Sequence, residues 1–493
     1  MIRHGSSRTI VDRSLQAIAS QSRRDAKTVS TGRSGPMQRP SRRQAGIASP
    51  RPGALLRRLA GVVVGLALAS LPVAARGATE LQLWHSLDGA NGALVARIAD
   101  DFNASQSAYR VITIYKGPYA ETINGGIAAY RAGAAPHILQ VFEVGNGTMA
   151  AAIGAVKPVS EVLSAVGSPI TPDAFLPVIA TNYLTRDGAM LSLPFNISTM
   201  VMWLNLDRFQ RAGLDLQHLP RTWPQVFEAA RALKRAEPAR CALSTAWPTW
   251  AHIEQLSVWH DQPIASRANG LDSFDAELVF NKPLQVQHLQ NIVDLYREGV
   301  FSYLGRTNRG EAQFVSGECG IFLTSSSMYG TIAARGQFSW AIQPMPYYPN
   351  VIDEPQNAIL GGGSLYVMQG KTAHEYAGVA AFLTHVLSFP VQSMIYRNSG
   401  YVPVTHAAYA DAQATGFYKR NPMLQVAVHA ITNRVPIRHT AGLRLGNMLQ
   451  IRDLWADEIE AALAGTKTPQ QALDAAVARG NAVLRLFQRR TVR

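Results

Sequence analysis

The chain has 493 residues, 47% hydrophobic and 16% charged, which is enough to bury a large core and excludes a chain that stays disordered throughout. Its formal charge of +14 points at first to nucleic acid, but residues 1–78 hold 14 Lys/Arg against 2 Asp/Glu, leaving 33 against 31 in residues 79–493. The body is close to neutral, so its charge gives no nucleic-acid footprint.

Residues 1–56 are rich in Arg, Ser, Gly and Pro without periodicity and read as a disordered basic extension. Residues 57–78 read as an export signal. Arg57-Arg58 precede a 13-residue apolar run, Leu59 to Leu71, then Pro72 and the small-residue site Val73-Ala74-Ala75. A membrane span needs about 20 apolar residues, so the run fits a cleavable signal better than an anchor. No cysteine lies near the cleavage site, which excludes lipid anchoring there. The two cysteines, Cys241 and Cys319, either pair in an oxidising compartment or stay buried as thiols, and their spacing alone does not choose.

From Thr79 short strands alternate with helices. Leu81 and Leu83 alternate with polar residues. Leu94, Val95, Ile98 and Phe102 recur at helical spacing. Val111–Tyr115 reads as a strand, Tyr119–Arg131 as an alanine-rich helix and His137–Phe142 as a third strand. That alternation predicts an α/β fold with a largely parallel sheet. Leu193-Pro194-Phe195-Asn196 and Leu360-Gly361-Gly362-Gly363-Ser364 read as loops, either crossovers between two lobes or plain surface loops. Near the C-terminus Thr468-Pro469-Gln470-Gln471 is a capping box opening a helix with one apolar stripe.

Catalytic signatures are missing. There is no G-x-S-x-G, H-E-x-x-H or phosphate-binding G-x-x-x-x-G-K-[ST] sequence. Gly145-Asn146-Gly147-Thr148-Met149-Ala150 imitates a dinucleotide fingerprint, but it follows the third strand and matches only loosely. No cofactor, metal or catalytic residue is expected.

Several segments occur together in one order: Trp84-His85-Ser86, Tyr115-Lys116-Gly117-Pro118-Tyr119, Ile138 to Gly145, Pro194 to Thr199, Gln356 to Gly362, Gly400 to Thr405, and Gly442 to Arg452. Over about residues 80–490 the set resembles the periplasmic glycerol-3-phosphate-binding components of ABC importers, in the maltose-binding-protein-like family of extracellular solute-binding proteins. The resemblance implies two α/β lobes joined by a multi-strand hinge, with a ligand cleft between them. The lobes would be 79–194 plus 361–418 and 195–360 plus 419–493. It implies a periplasmic monomer that hands sn-glycerol 3-phosphate, or a glycerophosphodiester, to permease subunits and their ATPase in the inner membrane. Carried over residue by residue, Tyr119, Glu143, Ser198, Ser325, Gly362, Tyr401 and Arg452 would contact the ligand, with Trp247 and Trp250 walling the cleft. The segment Ala246-Trp247-Pro248-Thr249-Trp250 departs from the glycines usual around those tryptophans, and Pro118 and Leu449 also differ.

The residue chemistry fits a bipolar ligand. Arg452 offers a planar array of N–H groups to phosphate oxygens, though alone it also suits a helix surface. Ser325-Ser326-Ser327 follows an apolar strand and can cradle an anion or merely cap a helix. Ser198, Tyr401 and Gly362 add neutral donors. Glu143 would repel phosphate and is expected at the opposite end, accepting from glycerol hydroxyls. The two rivals are an oligosaccharide receptor of the same fold and a glycerophosphodiester hydrolase; the latter needs a metal cluster or an acid–base pair that the sequence does not display.

Overall fold

The computed structural model describes residues 77–491; the basic extension and all but the last two residues of the export signal lie outside the described residues. The first elements form as their patterns dictate. β1 (Thr79–His85) buries Leu81 and Leu83 and exposes Glu80 and Gln82. α1 (Gly89–Ser105) buries Val95, Ile98, Ala99 and Phe102 along one stripe. β2 (Tyr109–Tyr115), α2 (Tyr119–Arg131) and β3 (Ile138–Phe142) follow, and β1 pairs in parallel with both β2 and β3.

The remaining strands are β4 (Val156–Lys157), β5 (Leu193–Asn205), β6 (Cys241–Thr245), β7 (Phe301–Tyr303), β8 (Cys319–Ser325), β9 (Trp340–Gln343) and β10 (Leu360–Met368). They extend the sheet in the order β2-β1-β3-β10-β5-β8-β6-β7, with β4 beside β10 and β9 beside β5. Parallel pairing is confined to the two flanks, β2-β1-β3 and β8-β6-β7. The centre is antiparallel, so the expected largely parallel sheet is in fact mixed. The reason is connectivity. β5 leaves the first flank for the second and β10 returns, so the two run opposite to each other and to their neighbours.

That traffic also corrects the two expected loops. Leu193–Asn196 is the start of β5, whose 13 residues are all buried, and Leu360–Ser364 is the start of β10. The two segments pair directly, Gly361 with Ser198, Gly362 with Ile197 and Gly363 with Asn196. Pro194 lacks an N–H for a regular ladder, and it sits opposite Ser364, beside the register shift between Gly363 and Ser364. Gly362 has φ +88°, and a Cβ there would stand 1.8 Å from the Asn196 carbonyl oxygen. The triple glycine therefore buys a close strand approach rather than a flexible turn.

Cys241 and Cys319 are register partners on parallel β6 and β8 and form a disulfide, Cα–Cα 4.5 Å. Beneath them, α3 (Trp223–Ala236) presents Trp223 to a buried histidine network. His252 Nδ1 lies 2.9 Å from His288 Nε2, His288 Nδ1 lies 2.9 Å from the Tyr348 hydroxyl, and the Tyr348 N–H donates to His260 Nε2 at 2.8 Å. Burial pushes His252 down to about 3, His260 to about 4 and His288 well below its ordinary range. All three are therefore neutral core side chains at neutral pH. The chain closes with α4 (Met448–Leu463) and α5 (Pro469–Thr491). The expected capping box is formed: Gln471 N–H donates to Thr468 Oγ1 at 3.2 Å and Thr468 N–H to Gln471 Oε1 at 3.0 Å.

Candidate functional site

Two polar clusters meet where β3, β5, β8 and β10 approach α4. The first is ionic. Glu143 follows the last residue of β3, and Arg452 lies in the first turns of α4. Arg452 is only 8% exposed, and its Nη2 lies 3.1 Å from Glu143 Oε1. Its main partner is Glu254, which takes Nε and Nη2 at 2.6 Å each. Two carboxylates thus enclose one guanidinium. Burial pushes Glu143 up to about 7, against the opposing pull of Arg452 and with help from Glu254. Near neutral pH the cluster alternates between zero and one net negative charge.

Glu143 and Arg452, expected at opposite ends of the ligand, are in contact with each other, and Glu254 holds the Nε–Nη2 edge of Arg452. Glu254 was missed in the sequence. Its signal is a lone carboxylate inside the buried run Trp250-Ala251-His252-Ile253-Glu254-Gln255, since an acid so placed must be paired. What local sequence cannot show is that the partner lies 198 positions away.

The second cluster is neutral. Ser325, the last residue of β8, donates from Oγ to Ser198 Oγ of β5 at 3.0 Å and accepts from the Ser327 N–H at 3.1 Å. Tyr119 opens α2 and stacks on Phe142 at 4.7 Å. Its hydroxyl accepts from Asn196 Nδ2 at 3.1 Å. Asn196 is itself oriented by Gln140 Nε2, 2.7 Å from its Oδ1, and the Ser86 N–H fixes Gln140 in turn. Tyr401 is buried against the same Asn196 and Ser327. It is carried there because Val402 N–H donates to the Ile197 carbonyl at 2.8 Å and Ser326 Oγ to the Gly400 carbonyl at 2.7 Å. Tyr119 joins the two clusters, lying within electrostatic reach of both Glu143 and Tyr401.

Of the predicted residues, Trp250 is 4% exposed and rests against Gly361, where a Cβ would meet its Cη2 at 2.4 Å and Ser198 Oγ at 3.2 Å. Its indole N–H has no partner among the described residues. Trp247, at φ 51°, is only partly buried, and its backbone contacts run to Thr307 and Ala251 rather than to the other eight residues. The glycine-rich Gly145–Ala150 segment is packing, as its weak motif implied: a Cβ on Gly147 would stand 2.3 Å from the Leu445 carbonyl oxygen.

Two spaces bear on the site. A cavity of about 10 Å³ between Glu143, Asn182, Leu445, Met448 and Arg452 holds about one water. A larger one, about 770 Å³, is lined by Asp88, Arg309, Glu311, Thr331 and Arg335. One of its lining residues, Glu311, accepts from Thr324 Oγ1 at 2.7 Å, next to Ser325 in β8. No group of three or more His, Cys, Asp or Glu side chains suited to a metal occurs among the described residues.

Residues 97–426 match the family model described as bacterial extracellular solute-binding protein. The chain belongs to that family. It is 42% identical over 410 residues, 83% of this chain and 95% of the relative, to the sn-glycerol-3-phosphate-binding periplasmic protein UgpB of Rhizobium meliloti (strain 1021). It is 43% identical over 432 residues, 87% of this chain and 98% of the relative, to the protein of the same description from Yersinia enterocolitica. Among solved structures, UgpB from Mycobacterium tuberculosis in complex with glycerophosphocholine aligns with a TM-score of 0.69 at 16% identity, covering 85% of this chain and 100% of that one. Maltose-bound MalE3 of T. maritima aligns at 0.68 and 18% identity, covering 82% and 100%. These likenesses fix the fold as the two-lobed binding-protein type.

Proposed function

We propose that this chain is the periplasmic binding component of an ABC importer and captures sn-glycerol 3-phosphate without transforming it. Support comes from the relatives named for that ligand over most of both chains. The distribution of unspent hydrogen-bonding groups carries the reading of the site. At the neutral cluster several donors are free. Tyr119 accepts from Asn196 and Ser198 accepts from Ser325, which leaves each hydroxyl hydrogen available. The Trp250 N–H is buried and unpartnered among the described residues. Available hydroxyl and indole hydrogens, with no carboxylate among these contacts, suit a phosphate, whose unprotonated oxygens only accept. At the ionic cluster guanidinium donors stand beside carboxylate acceptors, which suits hydroxyls because each hydroxyl both donates and accepts.

The ligand therefore lies with its phosphate toward Ser198, Ser325, Tyr119 and Tyr401, and its glycerol toward Glu143 and Arg452. The backbone at Gly362 and the rings of Trp247 and Trp250 flank it. The space beside Arg452 is smaller than glycerol, so Glu143 and Arg452 part to admit ligand. Lobe opening along β5 and β10 provides that movement; the lobes are 79–194 plus 361–418 and 195–360 plus 419–493. Closure then excludes water and strengthens each polar contact. The 770 Å³ cavity lined by Glu311, whose carboxylate accepts from Thr324 next to Ser325, gives a phosphodiester's second substituent a place, so glycerophosphodiesters are secondary ligands. Export through the cleavable signal, a monomeric state and delivery to permease subunits and their ATPase complete the reading.

Calorimetric titration of the mature chain tests it. Glycerol 3-phosphate should bind with one-to-one stoichiometry, and maltose should give no heat. Maltose binding without glycerol 3-phosphate binding would replace this reading with the oligosaccharide receptor. Released alcohol on incubation with a glycerophosphodiester would make the protein a hydrolase.

A further inference from the structure

Glu254 has no place in the ligand set implied by resemblance, yet it is the better-held partner of Arg452. Its side chain is 1% exposed, and both its oxygens sit 2.6 Å from Arg452 nitrogens. The turn that carries it is pinned on both sides. Gln255 Oε1 accepts from the Ile359 N–H at 3.1 Å, and Ala251 N–H donates to the Trp247 carbonyl at 3.0 Å. The turn also places Trp250 against Gly361. One short segment therefore presents a wall of the neutral cluster and the counter-charge of the ionic one.

The geometry decides what Arg452 can still do. A guanidinium recognises phosphate best through a two-nitrogen edge. Glu254 occupies the Nε–Nη2 edge, and Glu143 takes the remaining direction at Nη2. Nη1 is left to donate singly, which serves a hydroxyl and not a bidentate oxyanion. The added negative charge also opposes a second anion nearby. We propose that Glu254 is a specificity-determining positioning residue: by occupying the fork of Arg452 and cancelling its charge, it makes this end of the site a polyol end and forces the phosphate to the hydroxyl cluster. The inference rests on the proposed function and adds the residue that sets the ligand's orientation.

Two substitutions separate its two duties. Glu254→Gln keeps the shape and removes the charge. Glu254→Asp keeps the charge and shortens the reach. Each is titrated with glycerol 3-phosphate and with inorganic phosphate, with circular dichroism as the folding control. In Glu254→Gln, glycerol 3-phosphate should weaken about tenfold or more while inorganic phosphate tightens about tenfold, compressing the preference about a hundredfold. In Glu254→Asp, glycerol 3-phosphate should weaken about tenfold with inorganic phosphate unchanged. Parallel loss of both ligands in Glu254→Gln, with the preference kept, would mean a purely structural role and overturn the proposal. If Glu254→Gln does not fold, the aspartate variant decides alone, and equal weakening of both ligands overturns it. A wild-type chain that gives no heat with glycerol 3-phosphate overturns the functional reading and this inference with it. Normal wild-type binding with an unchanged preference in the variants overturns this inference only.

Discussion

The ionic and neutral ends of the site are built on opposite principles. The ionic end packs three charges, Glu143, Arg452 and Glu254, into a space with room for about one water. The neutral end spreads hydroxyls and an amide over two strands and one helix, with no charge of its own in the Ser198, Ser325, Asn196 and Tyr119 contacts. The charged groups are mutually satisfied, and the uncharged ones retain unspent donors. The two ends are thus told apart by the state of each hydrogen-bonding group and not by charge content alone.

The largest expected effect comes from breaking the ionic end. Arg452→Ala strands two buried carboxylates, and losing one member of a buried ionic cluster costs about 3–5 kcal/mol. Denaturant unfolding should show that loss, and glycerol 3-phosphate binding should disappear in calorimetry. A variant with wild-type stability would mean that Glu143 and Glu254 are solvated rather than enclosed. At the neutral end the same kind of deletion should separate binding from folding. Ser198→Ala removes a hydrogen bond to a charged ligand group, about 1.5–3 kcal/mol of affinity. Its melting temperature should move little, and a large shift would show the hydroxyl to be structural.

A smaller effect sharpens the comparison through pH. Glu143 has a folded value of about 7 against 4.5 in the unfolded chain. The raised value means that its contribution to stability is fully present below pH 4.5 and is lost as pH rises through about 7. Glu143→Gln escapes that loss, so its advantage over wild type in denaturant unfolding should widen by about 1 kcal/mol between pH 6 and pH 8. A gap independent of pH would contradict the buried carboxylate. The histidine network behaves with the opposite sign. His252 and His260 are depressed to about 3 and about 4. Their contribution is present above pH 6.5 and is lost as pH falls through those values. His260→Asn should flatten the acid limb of the stability curve between pH 6.5 and about 4 while leaving ligand affinity at pH 7 unchanged; a variant with the wild-type acid limb would remove the network from the acid response.

Much of this was legible in the residues. The spacing of Val95, Ile98 and Phe102, the bounds of Tyr119–Arg131 and the Thr468–Gln471 capping box depend on local pattern, and local pattern sufficed. Resemblance put Glu143, Arg452, Ser198 and Ser325 into one ligand set without pairing them; the contact of Glu143 with Arg452, expected at opposite ends, and that of Ser198 with Ser325 come from the fold. The strands at Leu193 and Leu360 were hidden by Pro194 and the triple glycine, which locally read as breakers. Only the pairing of the two segments, with its register shift, makes those residues compatible with a sheet. The pairing of Arg452 was hidden for a similar reason. Arg452 looks like a free cation until Glu254, from a distant segment, is seen to hold it.

A crystal structure of the mature chain with glycerol 3-phosphate is the most direct test of that orientation. The phosphate oxygens should lie within hydrogen-bonding reach of the Ser198 and Tyr119 hydroxyls, with the glycerol hydroxyls on Glu143 and Arg452 and the Glu254–Arg452 pair intact. A phosphate seated on the Arg452 guanidinium, with Glu254 displaced, would contradict it.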